Sequence, residues 1–205
     1  MAEQKPQAQK IFDEGMTGAS TLSDFPIINA YDFSPFDTMV DVGGGHGFIL
    51  GILLGSFPQL RAVLFDLPST IETVIENKIF EKKGLSERVE CIGGNFFESV
   101  PAGYSAYLLK FILRDWDDKK AARILDNCRK AMRDDSVLII VENIAEDKKN
   151  KADFSKLLDI ALMSATGGRV RTMKESKKLL EDSGFKLKRA FPTAAIFTIL
   201  EAVPA

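Results

Sequence analysis

Short apolar segments alternate with helical segments along most of this 205-residue chain. The first apolar segment, Thr38–Val42, has the length of a buried strand, and glycines and a predicted helix over Phe48–Ser56 follow it. Pro68 begins the next predicted helix, because proline is tolerated in the first helical turn. The same pattern predicts further strands at Arg61–Asp66, Arg88–Ile92, Ser105–Lys110 and Ser136–Glu142, further helices at Gln7–Thr17, Asp117–Met132, Phe154–Ser164 and Lys174–Ser183, and a closing strand pair at Phe185–Ala190 and Ala195–Glu201.

This alternation predicts an α/β fold with seven strands in a mostly parallel sheet and helices on both faces. No helix separates the two closing strands, so one edge strand should run antiparallel. Residues 1–37 are expected to form an N-terminal helix and a connector, since Ser23–Asp37 is rich in proline, aspartate and serine. Residues 38–205 should form one domain. Ligands of such sheets bind beyond the carboxyl ends of the strands, so the loops there should carry the chemistry.

The composition is that of a globular protein and argues against several kinds of partner. Hydrophobic residues make up 45% of the chain and the net charge is −2, so no nucleic-acid partner is expected. The longest apolar run, Phe48–Leu54, contains glycine and is too short to span a bilayer. Cys91 and Cys128 do not form a metal-ligand spacing, and the first residues lack the apolar core of a signal peptide. We therefore expect a cytoplasmic protein without a membrane partner or a metal site.

Glycines and acids at the ends of the first two strands indicate a ligand site. Gly43, Gly45 and Gly47 form a G-x-G-x-G pattern that lets a ligand approach the backbone closely. Asp41 precedes them and can accept a hydrogen bond from an ammonium group. Asp66 ends the second strand, where a carboxylate commonly holds ribose hydroxyls. The combination favours a nucleoside ligand with an amino-acid moiety, with a plain tight turn and a nicotinamide dinucleotide site as the alternatives.

Five segments resemble the small-molecule O-methyltransferases, a family with plant caffeate-type, acetylserotonin-type and bacterial polyketide-tailoring members. The segments are Val40–Gly47, Leu64–Pro68, Gly93–Glu98, Tyr107–Trp116 and Gly167–Thr172, and Phe12–Ser20 is similar to the helix that precedes the cofactor domain. The resemblance covers nearly the whole chain. It implies a Rossmann-like class I methyltransferase fold, S-adenosylmethionine as cofactor, S-adenosylhomocysteine as product, and a small aromatic hydroxyl compound as acceptor.

The resemblance also implies roles for individual residues. The glycine loop would wrap the methionine part of the cofactor, and Lys110 would lie near its sulfonium end. Asn95 is usually aspartate in the family, and its amide oxygen can still accept from the adenine amine. The cofactor-binding set would be Asp41, Gly43, Gly44, Gly45, Gly47, Asp66 at the ribose, Leu67, Asn95 and Phe96 at the adenine, and Lys110. The acceptor pocket would be lined by Met16, Met163 and Trp116.

Two positions depart from the family in the part that transfers the proton. Arg114 stands where the family typically has a histidine base, and a guanidinium cannot accept a proton at neutral pH. Val170 stands where the family pattern G-x-E-R-T has the glutamate that orients this base. Glu142 remains at the matching site after the fifth strand. It or Asp115 could replace the base if burial raised its pKa, and Arg114 could hold an acceptor that is already ionised.

These departures leave three hypotheses. The chain is an O-methyltransferase that has lost its usual base, a cofactor-binding domain repurposed for non-methylating chemistry, or a catalytically inactive binding module. The chain starts almost at the cofactor domain, without the large N-terminal helical domain through which the family dimerises. We therefore expect a monomer whose partner is a small-molecule acceptor.

Overall fold

A seven-stranded sheet forms the centre of the computed structural model, which describes residues 24–146 and 154–205. Two further short strands, β6 (Ile144–Ala145) and β7 (Arg171–Thr172), form a separate parallel ladder. The first five strands lie within one residue of their predicted bounds, because each is a short apolar run that ends in a turn or an acid. The strands are β1 (Thr38–Val42), β2 (Arg61–Asp66), β3 (Val89–Gly93), β4 (Ala106–Lys110), β5 (Val137–Glu142), β6 (Ile144–Ala145), β7 (Arg171–Thr172), β8 (Phe185–Pro192) and β9 (Thr198–Pro204).

The strands of the large sheet follow the order β3-β2-β1-β4-β5-β9-β8. The first five strands along the chain pair in parallel, whereas β9 runs antiparallel to β5 and β8. The expected mostly parallel sheet with antiparallel pairing at one edge is therefore confirmed, and the antiparallel strand β9 lies next to the edge strand β8. The strand order reverses between β1 and β4, and such a switch point leaves a crevice at the carboxyl ends of the strands.

Helices cover both faces of the sheet, because alternate strand residues point to opposite sides. Met39 and Leu64 pack with α1 (helical at residues 24–30), α2 (Phe48–Ser56) and α3 (Pro68–Glu76) on one face. Val40 and Val63 belong to a second core on the other face, with α4 (Asp118–Ala131) and α6 (Met173–Asp182). No helix within the described residues is long and apolar enough to cross a membrane. The helices are α1 (helical at residues 24–30), α2 (Phe48–Ser56), α3 (Pro68–Glu76), α4 (Asp118–Ala131), α5 (Phe154–Ala165) and α6 (Met173–Asp182).

The segment before the sheet differs from its prediction. Sequence composition predicts a connector over Ser23–Asp37, but residues 24–30 form α1. Ile27 and Tyr31, four residues apart, are both buried in the core. This apolar contact outweighs the turn preference of the neighbouring proline and aspartate residues. The helix predicted over Gln7–Thr17 lies outside the described residues.

Two helix caps fix the segments at the carboxyl edge of the sheet. The Asp117 side chain accepts the Lys120 backbone N–H at 2.9 Å and starts α4. Thr172 and Glu175 form a capping box at the start of α6, in which each side chain accepts the other residue's backbone N–H. The turn before α4 and the strand β7 before α6 are thereby held in place beside the ends of β4 and β5.

Candidate functional site

The loop after β1 is a tight turn with an open side. Gly43, Gly45 and Gly47 have φ angles of 72°, 58° and 71°, in the left-handed region that glycine adopts without steric cost. A Cβ on Gly44 would lie 2.4 Å from Asp41 Oδ2, so this position also excludes a side chain. A Cβ on Gly45 would meet no described atom within 4 Å. The backbone is therefore accessible to a ligand at Gly45.

Asp66 joins the glycine loop to the end of β2. Its Oδ2 accepts the Gly45 N–H at 2.8 Å, and its Oδ1 accepts the Leu67 N–H at 2.7 Å. An ionised carboxylate has about four acceptor positions, so both oxygens keep capacity for the hydroxyl groups of a ligand. The Leu67 side chain is 52% exposed and offers an apolar surface next along the chain. Asp66, predicted to bind the ribose, and Leu67, predicted to contact the adenine, are thus both accessible to one ligand.

Asp41 lies under the glycine loop in the sheet core. Its side chain is buried, and its Oδ2 has no hydrogen-bond partner among the described residues. Burial raises the pKa of Asp41 to about 7, while the charge of Lys110 opposes this change and the charges of Asp24 and Asp66 add to it. A ligand ammonium at Oδ2 would supply both the missing hydrogen bond and a compensating charge. The residues present therefore fit the amino-acid end of S-adenosylmethionine.

Lys110 ends β4 on the same side of the sheet as Asp41. Asp41 is in register with Leu108 on β4, and Lys110 lies two residues further along that strand. The Lys110 Nζ lies 2.6 Å from Asp24 Oδ1 on α1; the Asp24 side chain is fully buried and that of Lys110 is 12% exposed. The structure therefore brings the predicted residues Asp41 and Lys110 together and adds Asp24.

Asn95 and Phe96 follow β3 on the other side of the glycine loop. The Phe96 ring is close enough that a Cβ on Gly43 would lie 3.4 Å from its Cε1. Asn95 Oδ1 accepts the Phe97 N–H at 3.0 Å, which fixes the side chain and leaves one lone pair of this oxygen for a ligand amine. The Trp116 ring centre lies 6.2 Å from that of Phe96. Trp116, predicted for the acceptor pocket, is thus grouped with a predicted adenine residue.

Arg114 lies in a short 3₁₀ turn after β4 and is held on several sides. Its backbone N–H donates to Glu142 Oε1 at 3.2 Å, and its Nη1 donates to Asn143 Oδ1 at 2.8 Å. The guanidinium carbon lies 4.2 Å from the centre of the Phe111 ring, within cation–π range. The buried Nε has no hydrogen-bond partner in residues 24–146 and 154–205. The side chain is therefore fixed, and its buried Nε–H donor is unused by the described residues.

Two carboxyl groups next to Arg114 are perturbed by burial. Burial raises the pKa of Glu142 to about 7, against the opposing charge of Arg114. Burial also raises the pKa of Asp115, again against Arg114. Glu142 lines a shallow recess between the sheet and α6, and its Oε2 has no hydrogen-bond partner in the described part of the chain. Both predicted substitute bases can therefore exchange a proton closer to neutral pH than an ordinary carboxyl group can.

Arg171 anchors the turn that carries Arg114, a role that sequence reasoning missed. Its buried guanidinium donates to the Leu113 carbonyl at 2.7 Å and to the Trp116 carbonyl at 2.9 Å. Gly168 packs against the same turn, where a Cβ would lie on top of the Arg114 carbonyl oxygen. The motif Gly167–Thr172 was the available signal for both residues, but a motif does not say which backbone its arginine binds.

Met163, one of the two methionines predicted for the acceptor pocket, is not brought to this cluster. Met163 on α5 is 62% exposed, in an apolar stripe with the exposed residues Leu157 and Ile160. Met16 lies outside the described residues. Among the residues that the structure describes, no group of three or more histidine, cysteine or acidic side chains could hold a metal ion.

Known proteins share this arrangement over nearly the whole chain. Residues 1–186 match the family model for the O-methyltransferase domain. Phenazine O-methyltransferase PhzM from Lysobacter antibioticus is 38% identical over 97% of this chain and 58% of its own length. Mitomycin biosynthesis 6-O-methyltransferase from Streptomyces lavendulae is 35% identical over 95% of this chain and 55% of its own length. The chain thus spans less than two thirds of the length of these relatives.

Solved structures agree with the sequence relatives. The crystal structure of LaPhzM matches with a TM-score of 0.92 and 38% identity over 98% of this chain and 59% of that one. NcsB1, solved with S-adenosylmethionine and 2-hydroxy-5-methyl naphthoic acid, matches with a TM-score of 0.87 and 29% identity over 98% and 59% of the two chains. The predicted class I methyltransferase fold and the cofactor expected of the family are confirmed. The chain belongs to the O-methyltransferase domain family, whose cofactor is S-adenosylmethionine.

Proposed function

We propose that this chain is the cofactor-binding part of an S-adenosylmethionine-dependent O-methyltransferase that acts on a small aromatic hydroxyl compound. The observation that carries the proposal is Asp41, a buried carboxyl group under the open glycine loop, whose Oδ2 has no hydrogen-bond partner among the residues that the structure describes. An ammonium group fits this position. The names of the relatives, a phenazine and a mitomycin-biosynthesis O-methyltransferase, support the acceptor class.

The cofactor residues divide by chemistry. Asp41 would accept from the ammonium group, the backbone of the glycine loop would follow the methionine part, and Asp66 would accept from the ribose hydroxyls. Leu67, Asn95 and Phe96 would hold the adenine, and Lys110 would lie near the sulfonium end. When bound, S-adenosylmethionine supplies an electrophilic methyl group. The task of the protein is then to orient the acceptor oxygen and to hold its charge.

Proton removal has to rely on groups other than Arg114. A guanidinium stays protonated at neutral pH, whereas Glu142 and Asp115 have raised pKa values and can accept a hydroxyl proton. Arg114 keeps a buried donor, Nε, that can bind an anion through a charge-assisted hydrogen bond. These features favour an acceptor that is ionised near neutral pH, such as an acidic phenol. Met16, Met163 and Trp116 remain the proposed lining of the acceptor pocket.

A repurposed, non-methylating reaction is the second candidate, and the fixed position of Arg114 favours it. Asn143 and Phe111 hold the guanidinium in one position. A fixed positive charge can polarise a substrate carbonyl more effectively than a mobile one. An inactive binding module is the third candidate. All three share the cofactor cleft, so only product analysis separates them.

The test combines S-adenosylmethionine with phenols of graded acidity and detects methylated product by mass spectrometry. The wild type should methylate acidic phenols in preference to neutral ones. Arg114→His should raise turnover on neutral phenols, since a general base contributes about 10²–10⁴ in rate. Adding Val170→Glu should raise it further, and the two changes together should exceed the sum of their separate effects because the residues would act as one unit.

Arg133→His is the matched control, because Arg133 is exposed and pairs only locally with Asp135. It should leave turnover unchanged. The base-loss account fails if the double variant binds cofactor and phenol normally yet methylates no faster than the wild type. If the wild type forms a product other than a methylated phenol, and Arg114→His loses that product while cofactor affinity stays unchanged, the repurposed enzyme is favoured. Cofactor binding without turnover in any variant would favour the inactive module.

We propose that residues 38–205 form the cofactor domain and that residues 1–37 form an N-terminal helix and a connector, the connector including α1. We also propose that this chain is a cytoplasmic monomer that binds neither nucleic acid nor membranes.

A further inference from the structure

Asp24 has no part in the roles proposed above, yet it lies against the cofactor cleft. Its side chain is fully buried, and its Oδ1 lies 2.6 Å from Lys110 Nζ. It is carried by α1, which packs on the sheet face to which Asp41 and Lys110 also belong. An aspartate on this helix therefore reaches the end of β4 from a segment 86 residues away along the chain.

Lys110 lies within electrostatic reach of two buried carboxyl groups. Its charge lowers the pKa of Asp41, whereas Asp24 and Asp66, the other charged groups that face Asp41, raise it. In the ion pair the charges of Asp24 and Lys110 cancel. Asp41 therefore shares this cation with Asp24, and its own Oδ2 is buried without a hydrogen-bond partner in the described part of the chain.

Removal of the Asp24 charge would change this balance. The Lys110 ammonium would lose one of its counter-charges and act more strongly on Asp41, and the wall of the cleft would carry one more unit of positive charge. A cationic ligand would then lose its favourable site on Asp41 and meet a repulsive charge. A ligand of the same shape without the extra charge would lose less.

We propose that Asp24 is a positioning residue of the cofactor cleft. It holds the Lys110 ammonium and cancels its charge, so that the cleft prefers S-adenosylmethionine, with its sulfonium, to S-adenosylhomocysteine, with its neutral sulfur. The identity of these two ligands rests on the proposed function. It would favour exchange of product for fresh cofactor after each turnover.

The first experiment uses the protein without cofactor. Aspartate residues are labelled with ¹³C at the side-chain carboxyl, and the Asp41 signal is assigned with Asp41→Asn. We expect a titration midpoint near 7 in the wild type. In Asp24→Asn the midpoint should fall by about one pH unit, because a like charge is lost and Lys110 turns to Asp41. In Lys110→Gln the midpoint should rise.

The opposite signs of these two shifts separate positioning from general damage to the fold, which would move both midpoints in one direction. Asp126→Asn, an exposed change of the same type on α4, should leave the midpoint unchanged. A folded Asp24→Asn protein with an unchanged or raised midpoint overturns the proposal. If Asp24→Asn does not fold, Lys110→Gln decides alone, and a midpoint that does not rise overturns it.

The second experiment measures both ligands by calorimetry. The ratio of S-adenosylmethionine to S-adenosylhomocysteine affinity should fall roughly tenfold in Asp24→Asn and stay constant in Asp126→Asn. A constant ratio in Asp24→Asn overturns the ligand preference. If the wild type binds neither ligand, the proposed function and the ligand preference both fail, while the titration midpoints still decide whether Asp24 positions Lys110.

Discussion

Replacement of Asp66 by alanine removes the carboxylate that holds two backbone amides at the cofactor cleft. The Gly45 and Leu67 N–H groups donate to it at 2.8 and 2.7 Å. Hydrogen bonds to a charged group contribute about 1.5–3 kcal/mol each, but both amides can regain water in the variant, because neither residue is buried. We therefore expect the free energy of unfolding to fall by about 1–3 kcal/mol, and Tm by roughly 3–10 °C in a chain of this size.

Cofactor affinity should fall in addition to stability. Loss of the partner of the ribose hydroxyls costs about 1–3 kcal/mol, which corresponds to roughly 5- to 150-fold in Kd. Calorimetry with S-adenosylhomocysteine measures this directly, at a temperature where thermal unfolding shows each variant to be folded. Asp66→Asn should have an intermediate effect, because its amide keeps one acceptor oxygen but turns an NH₂ group toward a backbone donor.

Asp126→Ala provides the matched control, since Asp126 is exposed on α4, on the face of the sheet opposite to Asp66. It should leave both Tm and affinity almost unchanged. An Asp66→Ala protein that binds S-adenosylhomocysteine as tightly as the wild type would refute the ribose assignment. A variant with reduced Tm but unchanged affinity would leave Asp66 with only its role as anchor of the glycine loop.

Three further predictions follow from single side chains and from the expected assembly. Gly44→Ala should lower thermal stability and cofactor affinity, because its Cβ would lie 2.4 Å from a carboxyl oxygen, whereas Gly55→Ala, with open space around its Cβ, should stabilise α2 by about 0.5–1 kcal/mol. Glu142 has its pKa raised from 4.5 to about 7, so its contribution to stability is complete below pH 4.5 and is lost as the pH rises through 7. Denaturant unfolding should therefore find Glu142→Gln equal to the wild type near pH 4.5 and more stable at pH 8, by up to about 3 kcal/mol; equal stability at pH 8 would contradict the burial argument. Sedimentation should find this chain monomeric at micromolar concentration, and a stable dimer would contradict that expectation.

Most of the fold could be predicted because its signals are local. β1, the glycine loop and α2 follow one another within twenty residues, and the strand and helix have the bounds that the sequence predicts. The first helix could not be predicted in this way. Its proline and aspartate resemble a connector, and only contact with the distant sheet core, through Ile27, makes the helix favourable.

The residues of the candidate site likewise fall into a group with local sequence signals and a group without them. Asp41 and Asp66 could be identified from sequence, because each has a fixed spacing from the glycine loop. Asp24 and Arg171 could not, because their partners lie far away along the chain: Asp24 binds Lys110 across 86 residues and Arg171 binds Leu113 across 58. Sequence spacing contains no information about such contacts, whereas burial of a charged side chain in the folded chain identifies them at once.

Positions 114 and 170, where the resemblance leads us to expect histidine and glutamate, lie on segments that are bound to each other. The segment that carries Val170 is bound to the turn of Arg114, since the Arg169 N–H donates to the Arg114 carbonyl at 2.8 Å. Val170 is buried, so a glutamate there would need a buried proton donor or cation as its partner. Arg114 already uses Nη1 on Asn143 and its face on Phe111, and it also opposes the raised pKa values of Glu142 and Asp115. If the family's histidine–glutamate pair is the correct reference for these positions, arginine and valine here put a fixed positive charge in the place of a proton acceptor. We expect the ionisation of the acceptor, rather than the strength of a protein base, to set the rate of methyl transfer.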